Sequence, residues 1–75
     1  MEFIEVTLLN GNRVSIRRDL VLYVMKLEHV SKELLKEKPF LKDVEVCTMI
    51  LLSVAPGEIY CGDSYDSVMQ KLRSQ

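Results

Sequence analysis

Residues 59–72 read IYCGDSYDSVMQKL, and they put a thiol, a glycine, carboxylates, hydroxyls and a phenol side by side. Two readings compete: a reactive site, or a joint between a strand and a helix. The joint accounts for every residue. Ile59, Tyr60 and Cys61 read as the end of a strand, and Gly62 gives the backbone latitude to leave it. Asp63 or Ser64 then supplies an oxygen to an orphan N–H at a helix start, and Asp66 suits the positive end of the helix dipole. Tyr65, Val68, Met69 and Leu72 fall at i, i+3, i+4 and i+7, which is one apolar helix face. Lys71 and Arg73 occupy the last turn, where cations are favoured.

The reactive reading lacks its parts. A nucleophile at Cys61 or Ser64 needs an adjacent base held by a third group, and the sole histidine, His29, is remote in sequence. The second glycine of a Gly-x-Ser-x-Gly elbow is missing. Asp63 and Asp66 are spaced to sit near each other, but carboxylate chemistry also needs a pocket, for which so short a chain has little volume. No catalytic residue is expected.

Outward from the joint, Ala55-Pro56-Gly57-Glu58 is a turn. Before it, DVEVCTMILLSV (residues 43–54) is the strongest strand: Val44, Val46, Thr48, Ile50, Leu52 and Val54 share one face, and Cys47, Met49 and Leu51 the other. Being apolar on both sides in its second half, it is expected to be central or covered twice. At the N-terminus FIEVTLL (residues 3–9) alternates with period two. Asn10-Gly11 offers the positive torsions of a tight hairpin turn, and Val14 and Ile16 resume the alternation, so residues 3–17 are expected to form a hairpin. Residues 21–26 read as a short extended segment, with a helix as the alternative. Between Ser31, a preferred N-cap, and Pro39, a helix stop, Leu34 and Leu35 make a narrow apolar stripe on a short helix. The expected class is α+β: one domain over residues 1–75, a small antiparallel β-meander of three to four strands, a C-terminal helix and a short helical insertion at about 28–43. The order in which the strands pair is left open.

Size and charge narrow the function. A chain of 75 residues leaves about 40% of its unfolded-state surface exposed after folding, so disulfides, a metal or an oligomer interface would help it. Cys47 and Cys61 are expected to be reduced thiols, since no signal peptide is evident and the default compartment is the cytoplasm. With His29 they make too few donors at spacings unlike any zinc pattern, so neither metal nor cofactor is expected. The longest apolar run is far below the ~20 residues of a membrane span. With a net charge of −1, the one basic cluster suited to nucleic acid is Arg13, Arg17 and Arg18; the lysines of residues 32–42 alternate with Glu33, Glu37 and Asp43 and largely cancel at the ~8 Å Debye length. Nucleic-acid binding by the three arginines is a secondary alternative.

VTLLNGNRVSI followed by DLVLYV, and then TMILLSVAPGEIYCGDSYDSVMQKL, resembles the FlbD-type family of small flagellar-operon proteins. Leu9, Asn10 and Gly11 match its first turn, and Asp19 and Leu20 its middle segment. Thr48, Ile50, Leu52 and Gly57 match its second hairpin, and Ser64, Val68 and Leu72 its terminal helix. The likeness covers residues 4–25 and 46–72. It implies a non-enzymatic accessory or regulatory protein, motility-associated, that works through protein contacts. A phage or mobile-element protein of the same outline is the alternative.

One physical argument also favours contacts. A few strands and one helix cover one sheet face, whereas Phe3, Leu9, Met49 and Leu51 point to the other, with Val21, Tyr23 and Met25 as further members. Either the helix of residues 31–38 folds over that face, or a second copy or a partner does. Homodimerisation is the leading expectation, with Phe3, Leu9, Tyr23, Met25, Met49 and Leu51 as its interface.

Overall fold

The computed structural model of the chain describes residues 3–73; residues 1, 2, 74 and 75 of the expected 1–75 domain lie outside the described residues. The N-terminal alternation folds as a hairpin of β1 (Phe3–Thr7) and β2 (Arg13–Arg17), with Ile4 opposite Ile16 and Val6 opposite Val14. Its turn is not the tight two-residue type. Leu8 donates its N–H to the Asn12 carbonyl at 2.7 Å and accepts from Gly11 N–H at 2.9 Å. The loop is therefore Leu9-Asn10-Gly11, the three-residue form that ends in a positive-φ residue, here Gly11 at φ 92°. Asn10 instead takes the Asn12 N–H on its Oδ1 at 3.0 Å, a local bond that fixes the turn.

A 3₁₀ turn at Arg18–Leu20 leads into β3 (Val21–Leu27), so the segment left open between strand and helix is a strand. It pairs with β4 (Cys47–Leu52), which pairs with β5 (Glu58–Cys61), and β4 is central in this antiparallel meander. The α+β class, the meander, the short helix and the terminal helix are those expected. Among the described residues the strands number five in two sheets, because the hairpin keeps its own pairing. Its backbone links to the meander, among the described residues, are a bridge between Leu8 and Cys61 and a bond from Gly62 N–H to the Thr7 carbonyl at 2.8 Å.

β4 begins later than its alternation suggests. Leu41, 1% exposed, anchors a second 3₁₀ turn at Pro39–Leu41; Val44 N–H then bonds the Leu41 carbonyl, and Asp43 turns the chain at φ 69°. Residues 43–46 serve this exit, and Val46 is left exposed. In front of it, α1 (Lys32–Glu37) is capped by Ser31, whose Oγ accepts Leu34 N–H at 3.1 Å. Past β4, the Val54–Gly57 turn contains a cis Ala55–Pro56 bond and closes with Gly57 at φ 87°.

The core lies between hairpin, meander and the terminal helix α2 (Tyr65–Arg73): Ile4, Val6 and Ile16 meet Ile50, Leu52, Cys61 and Val68. Full burial of an aliphatic side chain such as Ile50 or Val68 contributes about 1.5–3 kcal/mol. β3 has one irregularity. Val21 is opposite Leu52 and Tyr23 opposite Leu51, so Leu22 is an extra, bulged residue. A bulge reverses the inside-outside parity of what precedes it. Val21 consequently packs on the core rather than joining Tyr23 and Met25 on the opposite face.

Candidate interaction surface

The joint at residues 61–64 is where the elements are tied together. Asp63 Oδ1 accepts Thr7 N–H at 2.7 Å, its Oδ2 meets Lys71 Nζ at 3.0 Å, and its carbonyl accepts the buried Thr48 hydroxyl at 2.7 Å. Lys71 Nζ also donates to the Glu5 carbonyl at 2.6 Å. Asp63 and its partners thus connect β1, β4 and α2. Of the two capping residues foreseen, Ser64 caps: its Oγ accepts Ser67 N–H at 3.1 Å. Partial burial pushes the Asp63 carboxyl up, but the Thr7 amide and the Lys71 ammonium outweigh it and hold the group below its ordinary value.

The residues weighed for chemistry are dispersed or occupied. Cys61 is fully buried, and burial with the Asp63 charge nearby pushes its thiol up to about 11. Burial also raises Cys47, and neither cysteine is in a disulfide. His29 and Asp66 are exposed. No group of three His, Cys, Asp or Glu converges among the described residues, and no described helix is long and apolar enough to cross a membrane. The three arginines diverge in use: Arg13 faces Glu5 at 4.0 Å, Arg17 pairs with Asp19 at 2.7 Å, and Arg18 donates to the Leu72 carbonyl.

The six interface residues separate into three places. Tyr23 and Met25 lie opposite Leu51 and Met49 on the outer face of the meander. Tyr23 is 48% and Met25 38% exposed, and Leu51 is half-buried, but Met49 is only 5% exposed. Met49 is therefore covered within the chain and offers little to a partner. The insertion reaches this face beside Met49, at Tyr60 and Glu58 of β5. Phe40 meets the ring of Tyr60, the cross-strand neighbour of Met49, edge-on at 5.4 Å. Lys38 Nζ sits 5.9 Å from the same ring and 3.3 Å from Glu58. The insertion covers the β5 side of this face and leaves the β3 side open.

Phe3, half exposed, belongs to the outward side of the hairpin, since Ile4 and Val6 take the inward side. Leu9 lies apart from both, in an open cleft of about 510 Å³ that it lines with Phe40, Pro56, Ile59 and Tyr60. Burial and the Glu58 carboxylate, 3.3 Å from its hydroxyl, push the Tyr60 phenol up to about 12. Sequence reasoning missed this cleft. Its one local signal was Phe40, a large apolar residue placed directly after the helix-stopping Pro39.

No family model, no characterised protein and no solved structure matches the chain.

Proposed function

We propose that this protein is a non-enzymatic interaction module that pairs with a second copy of itself through the open half of its meander face. The observation that carries this reading is the strip formed by Tyr23 and Met25 beside half-buried Leu51. It is apolar surface on the very sheet face whose other half the chain covers for itself, and contiguous apolar surface of this kind marks contact sites. The occupation of Asp63, Thr48, Ser64 and Lys71 in holding the joint supports a role without chemistry. The FlbD-type resemblance supports a motility-associated setting, and a phage or mobile-element accessory role is the alternative.

Light scattering on a size-exclusion column across a dilution series tests it. The expected mass is about 17 kDa, twice the 8.7 kDa of the chain, falling to the monomer value when Tyr23→Glu and Met25→Glu are combined. A monomer of unchanged mass at tens of micromolar would overturn self-association as the way this face works.

A further inference from the structure

The chain's sulfur lies in its methionines and in Cys47 and Cys61, and of these Met1 is outside the described residues. Burial divides the rest. Cys47, Cys61 and Met49 are buried, and Met69 is half-buried on α2. Met25 alone among the described sulfur residues is exposed. The two thiols are closed in chemistry as well as in space, since the thiolate is the reactive form and burial raises both groups. An oxidant in solution therefore meets Met25 ahead of the others.

That sulfur stands in the strip proposed for self-association. Beyond the bulge at Leu22 the pairing of β3 with β4 is unbroken, so Tyr23, Met25 and Leu27 share the outer face, with half-buried Leu51 opposite Tyr23. A thioether suits such a surface, because it is apolar, polarisable and adapts to what it meets. Its sulfoxide does not. Of these side chains only the Tyr23 hydroxyl can donate to the added oxygen, and a polar group buried without a partner costs free energy. A two-fold contact between copies meets that cost twice.

We infer that Met25 is an oxidation switch on self-association, an inference that rests on reading this strip as the contact with a second copy. The oxidant is a peroxide. The Met25 sulfur attacks hydrogen peroxide, an S–O bond forms as the O–O bond breaks, and the proton of the transferred hydroxyl passes to the leaving hydroxide. The products are the sulfoxide and water. Paired copies cover the thioether and separated copies expose it, so oxidation proceeds through the monomer and holds the chain there until a methionine sulfoxide reductase returns the thioether.

Peptide mapping by mass spectrometry and light scattering across a dilution series, on chain treated with millimolar hydrogen peroxide, test it together. Met25 is expected to gain one oxygen before Met49 and Met69, and faster in dilute than in concentrated protein. The oxidised chain is expected to self-associate about a hundredfold more weakly with an unchanged circular dichroism spectrum, and a sulfoxide reductase to restore the parent mass. A folded chain carrying Met49→Leu and Met69→Leu should respond as the parent does, whereas in Met25→Leu peroxide should leave the measured mass where it stood. A parent dimer that persists with Met25 fully oxidised would overturn the switch and leave self-association standing. Oxidation that reaches Met49 or Met69 first, or loss of the response in the folded double variant, would do the same. A parent that is monomeric before any peroxide would overturn both.

Discussion

Replacing Asp63 by alanine tests whether residues 61–64 are a joint. The side chain is 15% exposed and accepts two bonds, one from Thr7 N–H at 2.7 Å and one from Lys71 Nζ at 3.0 Å. They are unequal. The Thr7 amide lies inside the contact between hairpin and meander, and a buried donor left without its acceptor costs about 1–3 kcal/mol. Lys71 is 38% exposed and keeps the Glu5 carbonyl as a partner, so its share is that of a surface ion pair, below about 1 kcal/mol. Asp63→Ala is therefore expected to cost about 2.5 kcal/mol, out of a total of about 4–11 kcal/mol for a chain of this size. Asp63→Asn keeps an acceptor for Thr7 but turns an amide toward the ammonium, and is expected to cost about 1 kcal/mol, as is Lys71→Ala.

Urea unfolding followed by circular dichroism, with slopes compared to confirm a common mechanism, measures all three variants. In thermal melts the alanine variant corresponds to a drop of about 10–20 °C, at roughly 4–8 °C per kcal/mol. The reasoning fails if Asp63→Ala costs less than about 1 kcal/mol, or if Lys71→Ala costs as much as Asp63→Ala. The first result would mean that Thr7 finds another acceptor, and the second that the ion pair, not the amide bond, holds the hairpin.

Two further outcomes follow from the same contacts. The Asp63 carboxyl is held below its ordinary value, so its stabilisation is present above the unfolded-state value and is lost as pH falls through the lower folded-state one; a series of urea midpoints into the acid range should show that loss in the parent chain and a flatter limb in Asp63→Ala. With the Cys61 thiol pushed up to about 11 and Cys47 raised by burial, an aromatic disulfide reagent at pH 8 should modify neither cysteine faster than the chain opens, whereas immediate reaction in the absence of urea would contradict their burial.

Most of the fold was legible because it is written in short-range pattern. The alternation of Ile4, Val6, Val14 and Ile16, the glycine-bearing turns, the Ser31 cap and the Tyr65-Val68-Met69-Leu72 stripe each report a local geometry that tertiary packing then accepts. What could not be read is what depends on parity or on partners distant in sequence. Alternation assigns faces only along an unbroken strand, and the bulge at Leu22 moved Val21 to the core side while leaving Tyr23 and Met25 outside. The late start of β4 depends on the burial of Leu41, and Leu41 looks like any other apolar residue in an insertion.

The proposed interface shows the same limit most sharply. Phe3, Leu9 and Met49 met the sequence criterion for a second face as well as Tyr23 and Met25 did, yet a hairpin that keeps its own sheet puts Phe3 on a different surface, and Met49 is buried within the chain beside the Tyr60 that Phe40 packs against. A spare apolar residue in the pattern therefore identifies something that must be covered, but not by what. In this chain the insertion covers part of that surface, through Phe40 and Lys38 at Tyr60 and Glu58, and the remainder gathers along the outer face of β3. There Tyr23 and Met25 stand exposed beside half-buried Leu51, and this is the surface proposed for self-association.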